Sequence, residues 1–148
     1  MKRELSTNEQ RRLIALGGVR IEEYLDAGAG SCYLDKPAIA EKVVDALQHF
    51  EGVRYRLFAW CVMPNHVHVV FRPEPGHTLA TIVHGWKSYS AQEANRLLQR
   101  TGAFWQREYY DHLVRDEGDF RRVMRYVLEN PKKAGLREWP WVSAAVAP

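Results

Sequence analysis

Apolar and polar positions in the middle of the chain predict a pair of β-strands. Residues 53–62, VRYRLFAWCV, are rich in β-branched and aromatic residues, and residues 66–71, HVHVVF, continue the pattern after a turn at Met63-Pro64-Asn65. Strands joined this tightly should form an antiparallel hairpin. Because side chains alternate along a strand, one face of the first strand should carry Tyr55, Leu57, Ala59 and Cys61. The other face should carry Arg54, Arg56, Phe58 and Trp60.

The region before the hairpin shows helical patterns. A capping-box spacing at residues 6–9 predicts a short helix, and residues 20–28, RIEEYLDAG, look like a second helical piece that ends at a glycine. Asp35 and Pro37 form an N-cap and first-turn pair, which predicts a helix over residues 35–50.

The second half of the chain predicts a helix, a strand and another helix. Residues 78–98 carry apolar side chains at helical spacing after a capping threonine, and residues 104–115 look extended. A last helix should cover residues 116–130, because Pro131 discourages its continuation. From residue 31 onward, the predicted order is helix, strand, strand, helix, strand, helix.

Composition favours one domain in a reducing compartment. The chain has 148 residues, of which 46% are hydrophobic, enough for one ordinary core. Cys32 and Cys61 are its only cysteines, so they argue for neither a disulfide framework nor a cysteine-based zinc site. The sequence shows no apolar run of membrane-spanning length and no signal-peptide pattern. These features predict a soluble, cytoplasmic protein.

The charge pattern leans toward a polyanionic partner. The formal net charge is +3, and positive residues cluster among aromatic ones in KSYSAQEANRLLQRTGAFWQREYY and RRVMRY. By net charge alone, a solvated face of mixed charge explains the pattern equally well.

His66 and His68 are the first candidates for chemistry. On a strand, residues two apart point the same way, so the two imidazoles should lie side by side as half of a metal site. Val67, Val69 and Phe71 should then face the core on the opposite side. For an isolated His-x-His pattern, two hydrogen-bonded histidines on a half-exposed sheet are the more common outcome.

Tyr126 and Asn130 are the second candidates. They are one helical turn apart, along the flank of the apolar stripe of the last helix. If that helix packs on the histidine face, Asn130 can supply a third metal ligand and Tyr126 can approach whatever the metal binds. The alternative is a rim tyrosine and an asparagine that merely ends the helix.

Four ordered motifs carry a family resemblance. AWCVMPNHVHVVF, WKSYSAQEAN, FWQREYYDHLVR and RYVLENPKKAGL together resemble the REP-associated tyrosine transposases, within the single-tyrosine HUH transposase family of bacterial insertion sequences. The resemblance implies an α+β fold, a ferredoxin-like antiparallel sheet with helices packed on it. It also implies that His66 and His68 are the HUH metal pair, that Asn130 completes the site and that Tyr126 is the nucleophile.

The implied activity is a transposase-like cleavage and joining of single-stranded DNA near hairpins, through a covalent 5′-phosphotyrosine. The cofactor would be Mg²⁺ or Mn²⁺, and the partner would be palindromic hairpin DNA or single-stranded DNA. The protein would be a monomer or a homodimer and would associate with the nucleoid. No membrane partner is expected. At least one of Phe104 and Trp105 should be core. Candidates for DNA contact are Lys87, Arg96, Arg100, Trp105, Arg107, Tyr109, Arg122 and Arg125.

The family's usual N-terminal strand is not predicted here. Residues 1–30 are interpreted as a helical N-terminal extension and residues 31–148 as the catalytic core of a single domain. A missing strand would leave a gap in the sheet, which makes a catalytically impaired hairpin-binding module the main alternative. A small metalloenzyme unrelated to transposases is a third hypothesis.

Overall fold

The computed structural model describes residues 20–26 and 32–144 of the chain. Their backbone forms five strands, three helices and one 3-10 turn. In chain order these are β1 Arg20–Asp26, the 3-10 turn Tyr33–Asp35, α1 Pro37–His49, β2 Tyr55–Val62, β3 His66–Pro73, α2 Leu79–Leu98, β4 Trp105–Leu113, α3 Glu117–Lys133 and β5 Val142–Ala144.

The five strands form one antiparallel sheet in the order β4-β1-β3-β2-β5. The elements from β1 to β4 follow the βαββαβ order of a ferredoxin-like fold, which confirms the predicted α+β class. Apolar side chains of α1 and α2 pack with Val67, Val69 and Phe71 on one face of the sheet. Those of α3 pack with Phe58 and Val70 on the other face. The predicted hairpin is confirmed, as are the core positions of Val67, Val69 and Phe71 in its second strand.

The prediction of a helical piece at residues 20–28 is wrong. Residues 20–26 form β1, which pairs with β3 on one side and β4 on the other. Hydrogen bonds along both edges of a central strand override a local helical pattern of this length. The N-terminal strand judged to be missing is therefore present, and a helical extension over residues 1–30 is ruled out for residues 20–26. The helix predicted from residues 6–9 lies outside the described residues.

A β-bulge in β2 changes the predicted faces of that strand. Leu57 pairs with Phe71 and Ala59 pairs with Val70, so Phe58 is an extra residue in the ladder. Beyond the bulge the alternation is shifted by one position. Tyr55 and Leu57 therefore share their core with Trp60 and Val62, whereas Phe58, Ala59 and Cys61 face α3.

Two predicted helix ends need correction. Lys36, and not Asp35, is the N-cap of α1, with Pro37 in the first turn. Helix α3 continues through the buried Pro131 to Lys133, so the loss of the Pro131 backbone donor does not end the helix. At α2 the predicted cap is confirmed, since the side chain of Thr78 accepts a hydrogen bond of 3.2 Å from the backbone N–H of Thr81. Among the described residues, no helix is long and apolar enough to cross a membrane.

The central position of β1 makes a first testable prediction. Glu22→Pro removes a backbone donor in a strand that is paired on both edges, so the variant should be strongly destabilised. Glu22→Ala leaves the backbone donor in place and should cost much less. Melting temperatures of both variants by circular dichroism would test this, and equal melting temperatures would contradict the assignment of β1.

Candidate functional site

Strand β3 brings the two histidines together, as its alternation predicts. The Nε2 atoms of His66 and His68 lie 3.0 Å apart, and their ring centroids are separated by 4.7 Å. His68 is 1% exposed, whereas His66 is half-buried at the start of the strand. The Nε2 atoms of the two histidines therefore face each other.

Burial keeps both imidazoles neutral. Removal from water lowers the pKa of His66, and for His68 the same effect, with a smaller contribution from the nearby His66, lowers the pKa to about 3. Neutral imidazole is the form that binds a metal ion. The pair is thus held in its metal-binding state at neutral pH without any proton having to leave.

Asn65 orients the first histidine. The Oδ1 atom of Asn65, in the turn between β2 and β3, lies 2.8 Å from Nδ1 of His66. When Nδ1 carries the proton and donates it to this oxygen, Nε2 of His66 keeps its lone pair free for a ligand. A side chain in the turn thus selects the tautomer that a metal site requires.

The donor pair fits a divalent ion. Nitrogens at adjacent corners of an octahedral ion, each about 2.1 Å from it, lie about 3.0 Å apart, which equals the observed Nε2 separation of 3.0 Å. Among the described residues, no group of three or more His, Cys, Asp and Glu side chains could hold a metal ion. Amide, carbonyl or hydroxyl oxygens of the chain could supply further ligands, and water or a bound phosphate could supply others.

Cys61 sits beside the pair but is not suited to join it. Its backbone pairs with His68 across the hairpin. Burial raises the pKa of the Cys61 thiol to about 12, so the thiol stays protonated in the apolar layer under α3.

Helix α3 positions Tyr126 against the histidines. Phe120, Val123 and Val127 form the buried stripe that packs on the sheet, which places Tyr126 at the edge of the stripe. The rings of Tyr126 and His68 meet edge to face with centroids 5.2 Å apart, and 46% of Tyr126 stays exposed. Asn130 is half-buried one turn later along the same helix. Helix α3 thus places the Tyr126 ring against one member of the histidine pair.

The first turn of α3 is held by a buried carboxylate. Asp119 is 7% exposed and accepts hydrogen bonds from His112 Nε2 at 2.7 Å and from the backbone N–H of Arg115 at 3.1 Å, and it forms an ion pair with Arg122. Burial alone would raise the pKa of Asp119, but these partners outweigh it and lower the pKa overall.

Comparison with known proteins bears directly on this arrangement. The family model described as "Transposase IS200 like" matches residues 34–130, a range that includes the histidine pair, Tyr126 and Asn130. The chain belongs to this transposase family. The relationship predicted from the four motifs is thereby confirmed.

Individual relatives are distant. A Haemophilus influenzae protein named "Putative REP-associated tyrosine transposase" is 27% identical over 65% of this chain and 62% of its own length. The REP-associated tyrosine transposase of Escherichia coli K12 is 26% identical over 59% of this chain and 53% of its own length. The chain therefore spans less than two thirds of the length of these transposases.

Solved structures of transposases share the fold. A REP-associated tyrosine transposase bound to a REP hairpin superposes with a TM-score of 0.65 at 20% identity, covering 85% of this chain and 76% of that chain. A crystal structure described as that of a "putative transposase" from Deinococcus radiodurans gives a TM-score of 0.54 at 20% identity, covering 77% of this chain and 90% of that chain.

The candidate DNA contacts fall on different sides of this transposase fold. Arg122 and Arg125 are exposed on α3, the helix that carries Tyr126. Arg107 is exposed on β4, and of Tyr109 only the backbone, also in β4, is described. The remaining cations lie on or just after α2, whose core contacts are on the opposite face of the sheet: Lys87, Arg96 and Arg100.

Trp105 is not available for base stacking. It is 7% exposed and its indole N–H donates a 2.9 Å hydrogen bond to Ser90 Oγ. The neighbouring Phe104 is also buried, so both rings of this pair belong to the core. The candidacy of Trp105 as a DNA contact was wrong because a large aromatic ring contributes more by filling the space between β4 and α2 than by facing water.

Sequence analysis missed two polar side chains that shape the site. Asn65 was interpreted only as a turn residue and Asp119 only as part of a helix start. A polar residue directly before a candidate ligand was a usable signal for Asn65. The contact from Asp119 to His112 joins a helix to a strand and has no signature in local spacing.

The low pKa of His68 predicts a pH-dependent stability. A histidine in the unfolded chain titrates near about 6.5, whereas the folded protein holds the pKa of His68 at about 3. Between these values the proton binds only the unfolded chain. The free energy of unfolding should therefore fall by about 1.4 kcal/mol per pH unit as the pH decreases below about 6.5.

Urea unfolding in the presence of a chelator, from about pH 7.5 to about pH 5, would measure this slope. His68→Gln keeps a polar side chain of similar size but cannot take up the proton. We expect a shallower pH dependence for this variant than for the wild type. Equal slopes would show that His68 does not carry the effect.

Proposed function

We propose that this chain is a metal-dependent, single-stranded DNA endonuclease and strand transferase that cuts beside DNA hairpins through Tyr126. The observation that carries the proposal is the contact of the Tyr126 ring with His68, a member of a neutral, convergent histidine pair. Membership of the transposase family supports the reaction class. The hairpin bound to a structural relative supports the choice of DNA.

The proposed metal ligands are His66, His68 and Asn130, with Mg²⁺ or Mn²⁺ as the ion. Imidazole nitrogens and an amide oxygen leave open positions for phosphate oxygens. The ion, when bound, would supply Lewis-acid polarisation of the scissile phosphate. Asn65 would keep His66 in the required tautomer.

Tyr126 would act as the nucleophile. Its hydroxyl oxygen attacks the phosphorus, a bond between tyrosine and the 5′-phosphate forms, and the bond from phosphorus to the 3′-oxygen breaks. The tyrosine proton is lost and the departing strand gains one, so that it ends in a 3′-hydroxyl. Attack by another 3′-hydroxyl on the phosphotyrosine reverses these changes and joins the strands.

The exposed side chains of α3 would hold the substrate. Arg122 lies one turn before Tyr126, and the adjacent Arg125 extends the positive charge. Guanidinium groups bind phosphate oxygens in pairs of hydrogen bonds, which would position the scissile phosphate along the helix. The alternative of a chain that only binds hairpins rests on a missing N-terminal strand, and β1 fills that position.

Tyr126→Phe tests the nucleophile. The variant keeps the ring that packs on His68 but lacks the attacking oxygen, so covalent protein–DNA adduct should become undetectable. A hairpin oligonucleotide with single-stranded flanks, incubated with Mn²⁺ and run on a denaturing gel, reports the adduct. Binding of the same oligonucleotide by the variant should stay within about threefold of wild type.

Tyr89→Phe is the matched control, because Tyr89 is 42% exposed but lies on α2 across the sheet. It should form adduct at the wild-type level. Adduct from Tyr126→Phe, or its loss from Tyr89→Phe, would overturn the assignment. Hairpin binding by a wild-type protein that forms no adduct with Mn²⁺ or Mg²⁺ would favour a binding module without cleavage activity.

His68→Ala tests the metal site separately from the reaction. Mn²⁺ binding is measured by titration with electron paramagnetic resonance detection. The Tyr126→Phe variant still has the histidine pair and should show one Mn²⁺ site. Adding His68→Ala to this variant should weaken Mn²⁺ binding by about tenfold or more. His84→Ala removes an exposed histidine from α2 and should leave Mn²⁺ binding unchanged. Unaltered binding after His68→Ala would place the ion elsewhere.

A further inference from the structure

A pair of stacked rings lies beside the site and has no role in the proposed reaction. Tyr110 and His112 follow each other on one face of β4, with ring planes only 9° apart and centroids separated by 6.3 Å. Tyr110 is 55% exposed, which is unusual for so large a ring. His112 is held in place on the α3 side by its 2.7 Å contact with Asp119.

The sheet register places Tyr110 in line with the histidine pair. Glu23 of β1 pairs with His68 of β3 on one side and with Tyr110 of β4 on the other. Tyr110 and His68 therefore lie in one row across the sheet, two strand spacings or about 10 Å apart. His68 contacts Tyr126 of α3, and His112 contacts Asp119 of α3. Since Tyr110 shares the face of His112, its ring lies on the same side of the sheet as His68.

Arg122 connects the rings to the nucleophile. Asp119, which holds His112, is also the ion-pair partner of Arg122 through its second carboxylate oxygen. The Arg122 side chain remains 73% exposed despite this pair, and it lies one turn before Tyr126 on α3. One buried carboxylate thus contacts both an exposed cation and the histidine whose ring lies parallel to that of Tyr110.

We propose that Tyr110 is a base-stacking subsite for an unpaired nucleotide of the strand whose scissile phosphate lies at His68 and Tyr126. This inference rests on the proposed function and names a binding contact of that same site. His112 would support the ring from behind, Arg122 would contact a phosphate of the same strand, and Asp119 would be a positioning residue for both. Stacking on a ring tolerates any base, so the contact would hold the single strand without reading its sequence.

The test uses a fluorescent purine analogue, whose emission is quenched when it stacks. It is placed in turn at each single-stranded position on both sides of the cleavage point of the hairpin oligonucleotide. All proteins carry Tyr126→Phe, so binding is observed without cleavage. With Tyr110 present, we expect strong quenching at one position or at adjacent positions. With Tyr110→Ala, this quenching should be lost and the affinity for the flanked hairpin should be about tenfold weaker.

Three comparisons make the outcome decisive. Tyr110→Phe preserves the ring and should preserve both quenching and affinity, whereas Tyr89→Ala removes an exposed ring on the other face and should change neither. Asp119→Asn leaves Tyr110 intact but should still reduce quenching. Arg122→Gln removes only the charge of Arg122 and should not reduce quenching.

If the flanked hairpin binds but no position shows quenching that depends on Tyr110, the stacking subsite is wrong. The same result would leave the proposed function untouched, because formation of the covalent adduct by Tyr126 is measured separately. Unchanged affinity of Tyr110→Ala for the flanked hairpin would likewise overturn the subsite alone. Loss of the adduct in wild type would instead overturn the proposed function.

Discussion

The site depends on the packing of α3 against the face of the sheet opposite α1 and α2. Phe120, Val123 and Val127 bury the apolar stripe of the helix against Phe58 and Val70, which leaves Tyr126 at the edge of the contact, over His68. Without this helix, His68 would be a solvent-facing imidazole on an open sheet. The same apolar contact that stabilises the second layer therefore also removes the histidine from water and sets its distance from the tyrosine.

Burial of an imidazole opposes its protonation, and the fold uses this effect at the histidine pair. Two adjacent imidazoles in water would each titrate near about 6.5, whereas the pKa of His68 in the fold is about 3. Withdrawing the polar imidazole rings from water costs free energy. As a result, their nitrogens need no deprotonation before a ligand binds. Asn65 adds the orientation that such a pair needs, from a turn whose position is determined by the hairpin.

A second polar centre at the start of α3 complements the first. Asp119 joins the helix to β4 through His112 and restrains Arg122 on the solvent side. One end of the site carries neutral imidazoles and the hydroxyl of Tyr126, and the other carries a cation and an exposed aromatic ring. Under the proposed function these groups would bind a phosphate and a base of one single strand, and contacts to α3 hold both ends.

Local patterns in the sequence determined the hairpin, the three helices, the shared direction of His66 and His68 and the spacing of Tyr126 and Asn130, because side-chain periodicity follows from backbone geometry alone. Only the tertiary structure decided that residues 20–26 are a strand, since both of its hydrogen-bonded neighbours are distant in sequence. The bulge at Phe58, the short strand β5 beside β2 and the burial of Trp105 were decided in the same way. Each of these features satisfies hydrogen bonds or fills space between segments that are far apart along the chain, and no local pattern encodes such a partner.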